Sequence, residues 1–237
     1  MSVSVLSSAS SAAIAIVAGL RLLWLARSTR QLPEATWGVA WLLFGASAIM
    51  EQVVLASGLS DVVYFVYLLF GFSIALTLAV ANRVTFRPTA PWAVGIIAGL
   101  LLSDLASLAY QGTTLGFDLT NMGLEGRDLE HWNTYPQWTM RGTVLVSLFW
   151  LVAESLLQRQ NEQRRMRLGL SSPLRATRFS LMAIAASAFF VYMGSSVLYG
   201  LGFSFSAHKY LMPLASLIGA ICVWLAFFPP KAWGTQT

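Results

Sequence analysis

Charge is what this sequence has least of. Of its 237 residues 11% are charged and 57% hydrophobic, whereas a soluble domain carries about 25% charged and about 45–50% apolar residues. Such a chain could not cover its surface with polar groups in water, so the bilayer is expected to be part of its solvent. Cysteine is nearly absent: Cys222 alone excludes an internal disulfide and any Cys-rich metal site, and it reads as a small core residue in an apolar run. The two histidines, His131 and His208, fall between apolar runs, which argues against haem ligation inside a bundle and against a metal site. A retinal pigment needs a lysine near the middle of its last span, but Lys209 lies at the rim and the next is Lys231. No Walker motif, dinucleotide fingerprint, zincin helix or nucleophile elbow occurs. No cofactor and no metal is expected.

Long apolar runs are what the sequence does have. A membrane helix needs about 20 mostly apolar residues, and such runs fall near 6–26, 36–57, 62–82, 91–110, 138–158, 179–202 and 210–229. Helix is the expected state, because backbone polar groups in lipid must be satisfied within their own segment, and the alternating ten-residue pattern of a barrel is missing. Pro33, Gly58, Pro88, Pro136, Pro173 and Pro229 punctuate the breaks. The expectation is an all-α polytopic bundle, a single seven-helix transmembrane domain over 1–237. No span carries a proline at its middle, and Pro213 falls in the first turn of the seventh.

Sidedness follows from the basic residues, which collect in cytoplasmic loops. Nothing basic precedes the first apolar run, while Arg21, Arg27 and Arg30 follow it, the reverse of a secretory signal. An uncleaved anchor with its N-terminus outside is expected. Arg27, Arg30, Arg83, Arg87, the six arginines of 158–178 and Lys231 then lie inside, eleven of the fifteen basic residues. Only Arg127 and Lys209 lie outside. This places the C-terminus in the cytoplasm, accounts for the basic balance without nucleic acid, and suggests a multi-pass protein of the inner (plasma) membrane. Trp24, Trp37, Trp41, Trp92 and Trp233 near one interface, with Trp132 and Trp138 near the other, suggest two aromatic belts.

Two connections are long. The outside interval 111–137 holds four glycines and reads either as a solvated connection or as a lid. The inside interval 158–178 begins with good helix formers, so the fifth span is expected to run on to about Leu168 and stop at Gly169. Its Arg164, Arg165, Arg167, Arg175 and Arg178 suit anionic lipid headgroups or an acidic protein partner, each basic residue near the surface contributing about 1 kcal/mol.

Ionisable residues inside spans are costly and mark functional candidates. Glu51, Asp104 and Arg141 fall at similar depth in the outer half, where two carboxylates facing one arginine leave an unbalanced charge for a proton, cation or amine ligand. Arg21 and Glu154 fall at comparable depth in the inner half and are expected to pair. Gly95, Gly99, Ser103 and Ser107 recur every four residues and, with Gly71, Ala75 and Ala79, suggest close packing of spans three and four or a homodimer seam.

The stretch Gly19-Leu-Arg-Leu-Leu-Trp-Leu-Ala-Arg-Ser-Thr-Arg-Gln-Leu-Pro-Glu34, the segment Arg164 to Pro173 and the pair Arg178-Phe179 resemble segments of uncharacterised bacterial seven-span membrane proteins, a resemblance that implies no activity. In span count and orientation the chain is also similar to the seven-helix sensory modules of bacterial histidine kinases, without the kinase portion. The leading expectation is a non-enzymatic sensing or partner-binding accessory module with an outer polar site and an Arg-rich inner loop. A small proton- or ion-coupled transporter, and an interfacial enzyme acting on a lipid or isoprenoid, are the alternatives.

Overall fold

The computed structural model describes residues 3–57, 61–114, 134–203 and 208–230. Among the described residues there are seven helices: α1 (Val3–Thr29), α2 (Leu32–Ser57), α3 (Asp61–Phe86), α4 (Pro91–Thr114), α5 (Tyr135–Arg167), α6 (Pro173–Gly200) and α7 (His208–Phe227). All but α2 contain a described stretch long and apolar enough to cross a membrane. Exposed leucine, valine, isoleucine and aromatic side chains cover the outside of the bundle. Such a surface suits lipid, and the architecture is that of a helical membrane bundle.

Helices α1, α2, α3, α5, α6 and α7 form a closed ring of neighbours in that order, and α4 lies outside it against α3 and α5. Of the six apolar stretches, that of α5 is the most buried and that of α4 the least. Aromatic side chains fill the ring: Trp41 and Phe44 of α2 meet Phe189 of α6, Phe86 of α3 meets Phe179 of α6, and Trp37 meets Phe227 of α7. Trp37 and Trp41 are therefore core residues and not members of a belt, and the Trp37 indole donates to Thr85 Oγ1 at 2.9 Å. Trp24 and Trp92 are exposed as a belt would have them. Trp132 and Trp233 lie outside the described residues.

Helices α1 and α2 approach each other closely. A Cβ on Gly19 would stand 2.9 Å from the Gly38 carbonyl oxygen, and one on Gly45 would stand 2.6 Å from Ile16 Cγ1. Small residues permit that approach. The expected close packing of the small-residue row of α4 against α3 does not form: Gly95, Gly99 and Ser103 are exposed, and within the chain a Cβ on either glycine would meet nothing within 4 Å. The reason is geometric. At about 3.6 residues per turn, steps of four drift about 40° each, so the row that starts at Gly95 reaches the buried side only at Ser107. Gly71 seats Met140 of α5 instead of α4.

The end of α5 follows the sequence expectation closely. The helix runs to Arg167, Leu168 caps it, and Gly169 takes φ +70 with its N–H on the Met166 carbonyl at 2.9 Å. A left-handed residue that closes a helix in this way favours glycine. Pro213 falls in the second turn of α7, since that helix starts at His208, earlier than the apolar run implied.

Candidate functional site

Helix α4 buries a narrow stripe: Ala93, Leu100, Asp104, Ser107 and Gln111. Spacings of three and four keep these on one side of a helix. The lower part is apolar, where Ala93 and Leu100 pack with Ala79 of α3 and Trp150 of α5. The upper part is polar. Ring contacts between Tyr110 and Tyr135 (5.2 Å) and between Trp92 and Trp150 (5.5 Å) set α4 antiparallel to α5. That register brings Asp104 level with the turn from Trp138 to Thr143.

Helix α5 faces the stripe with buried polar residues of its own, Gln137, Arg141, Thr143 and Ser147. Arg141 is 3% exposed and its guanidinium stands over the Trp138 ring at 5.4 Å. Its charge also reaches Tyr64 of α3, whose hydroxyl is 2.5 Å from Thr134 Oγ1. Deeper in the bundle the α3–α5 contact is held by two interhelical bonds. Asn82 Nδ2 donates to the Ser147 carbonyl at 3.0 Å, and Ser147 Oγ donates to the Ala75 carbonyl at 2.9 Å.

Asp104 sits at the centre of this seam. It is 2% exposed, and neither carboxyl oxygen accepts a hydrogen bond. Its polar neighbour is the Thr143 hydroxyl, which interacts with the carboxyl but is shared with the Met140 carbonyl at 3.0 Å. Ser107 Oγ, one turn along α4, is buried and likewise without a partner. A bare carboxylate in such a place is costly, and groups like it are neutralised by a proton, a bound cation or a cationic ligand. The structure thus brings Asp104 and Arg141 to one depth on adjacent helices without joining them in an ion pair. Glu51 is carried by α2, and its side chain lies outside the described residues.

The expected inner pair, Arg21 with Glu154, does not form. Arg21 lies on α1, which packs on α2 and α7, and its guanidinium stands 4.1 Å from the Phe228 ring and 5.7 Å from that of Trp224. Glu154 lies on α5 and accepts from Arg87 Nε at 2.7 Å, with the Trp150 indole at 3.4 Å. The cause is topological: α3 and α5 run parallel, so the segment that follows α3 delivers Arg87 to the level of Glu154. Arg87 had counted in the sequence only as a positive-inside residue.

Arg164, Arg165, Arg167, Arg175 and Arg178 are all exposed around the α5–α6 connection. Arg165 bonds the buried Glu162 at 3.2 Å, and Ser171 Oγ bonds the other oxygen of Glu162. The remaining four make no ion pair among the described residues. Residues 115–133, which include most of the candidate lid with His131, lie outside the described residues, as does the side chain of His208. No group of three His, Cys, Asp or Glu residues able to hold a metal occurs among the described residues. Ser107, Gln111, Gln137 and Arg87 are additions to the sequence-derived site. Polar residues at 104, 107 and 111 share a helix face, a spacing that was readable in advance.

No protein-family model, curated protein or solved structure matches this chain.

Proposed function

We propose that this chain is a seven-span sensing or accessory module of the plasma membrane, N-terminus outside and C-terminus in the cytoplasm. It takes up a proton or a small cationic ligand at Asp104 and passes the occupancy of the seam to a protein partner on the arginine-rich face. The observation that carries this reading is the isolation of the Asp104 carboxyl, buried without a hydrogen bond. The helix that bears it is the least buried apolar stretch and stands outside the ring. Neutralising Asp104 alters the electrostatic cost of seating α4, and a peripheral helix held by a narrow stripe responds to that cost more readily than a ring member. The excess of basic residues on one side supports the orientation, and four exposed arginines without acidic partners among the described residues suit an acidic protein surface.

Hydrogen exchange of the full chain in lipid nanodiscs, with and without methylammonium and across pH, tests the site. The wild type should change protection in α4 more than in the ring helices, and Asp104→Asn should abolish the response. Equal responses in the two proteins would discard the reading. Isolation from native membranes in mild detergent tests the partner, and recovery of the chain alone would count against it.

A transporter is the second reading, favoured by the buried polar side chains Asp104, Ser147, Asn82 and Glu154 on the adjoining helices α3, α4 and α5. Proteoliposomes that pass no protons or cations down an imposed gradient, unaltered by Asp104→Asn, would sink it. The interfacial enzyme needs an apolar side-opening cavity that ends at a carboxylate. The groove between α5, α6 and α7 is lined by none.

A further inference from the structure

A groove of about 450 Å³ opens on the outside of the ring between α5, α6 and α7. It exists because α6 turns small residues toward it, Ser180, Ala183, Ser187 and Ala188, opposite Ala215 of α7. With Ile184 and Val191, the α6 lining positions recur at steps of three and four along the helix, so they share one face. From Ser180 to Val191 the groove follows α6 for about 16 Å at 1.5 Å per residue. That is about half of a ~30 Å hydrocarbon core, the depth of one leaflet.

The charge of the groove is one-sided. Ser180 spends its hydroxyl on the Ala176 carbonyl at 2.9 Å. The one charged residue in the lining is Arg159, near the α5–α6 connection. Arg159 is exposed and makes no ion pair among the described residues. The nearby acid, Glu162, is already bonded to Arg165 and Ser171. A positive fork thus stands at the end of an apolar channel one leaflet deep.

We infer that this groove binds an anionic phospholipid, with one acyl chain along α6 and the phosphate on Arg159. The small residues supply room for a chain, and the guanidinium supplies charge-assisted hydrogen bonds to phosphate oxygens. A zwitterionic lipid offers the same chain but carries a cation that offsets its phosphate. The inference rests on the chain lying in a bilayer and is independent of Asp104 and of which side faces the cytoplasm.

Native mass spectrometry of the full chain, in micelles doped with dioleoyl phosphatidylglycerol or dioleoyl phosphatidylcholine, tests it. The wild type should retain the phosphatidylglycerol adduct about tenfold better. Arg159→Gln should remove that preference and Arg159→Lys should keep part of it. Ser187→Phe, at an exposed position, should block the channel and lose the adduct with unchanged circular dichroism. Arg167→Gln, outside the lining, should have no effect, and glycerol 1-phosphate should not compete. Equal losses in Arg159→Gln and Arg167→Gln would reduce the effect to diffuse surface charge. Retention of the adduct by Ser187→Phe would show that no chain occupies the groove, and competition by glycerol 1-phosphate would show headgroup binding alone. Each of these three results overturns the inference.

Discussion

The α1–α2 contact and the attachment of α4 use the same small residues to opposite ends. In the first, Gly19, Gly38 and Gly45 leave no room for a methyl group, since each would run into the facing helix. In the second, Gly95 and Gly99 face open space, and the helix is held by the stripe from Ala93 to Gln111. Carboxylates divide in the same way. Glu154, within the ring, has its arginine at 2.7 Å, whereas Asp104, under α4, accepts no hydrogen bond. The ring is built to stay closed, and the α4 seam keeps a polar group unspent.

The largest test of that contrast is steric. Gly19→Val should destabilise the protein by about 2–3 kcal/mol, the usual cost of overpacking a close contact, while Gly99→Val should stay within about 0.5 kcal/mol, as surface changes do. Thermal unfolding in a fixed detergent compares them, and similar losses would erase the difference between the two glycine rows.

A smaller effect separates the carboxylates. Glu154→Gln weakens a bond to an arginine whose side chain is 40% exposed, so water limits the loss to about 1 kcal/mol. Asp104→Asn has no ion pair to lose, only the shared Thr143 hydroxyl, and should be neutral or stabilising. Chemical unfolding of both variants checks the order, and an Asp104→Asn protein less stable than Glu154→Gln would mean that the seam is structural.

The smallest expected effect concerns Arg21, whose ring contacts contribute about 0.5–1 kcal/mol where exposed. Arg21→Gln and Glu154→Gln should be additive in the double variant within about 0.5 kcal/mol. Strong coupling would restore the pair that the structure separates.

Several features were legible before any fold was known. The seven helices follow from the apolar runs, and the end of α5 follows from Gly169, because both depend on local sequence and on the backbone alone. Asp104 and Arg141 stood out for the same reason: a charge in an apolar run is visible wherever the helix goes. The partner of Glu154 was not legible, since depth along a span does not say which helices are neighbours. Arg21 has nearly the same depth but the wrong helix, and Arg87 reaches Glu154 only because α3 and α5 lie side by side.

By itself, then, the sequence determined that this is a chain for a bilayer, divided it into helices and concentrated its arginines at 158–178. Local hydrophobicity and backbone hydrogen bonding suffice for that. Tertiary structure decided that α4 stands outside the ring, that its glycines face outward and that Asp104 is buried without an ion pair among the described residues. Those outcomes depend on helix rotation and neighbour order, which arise from packing across the bundle and leave no mark in any single span.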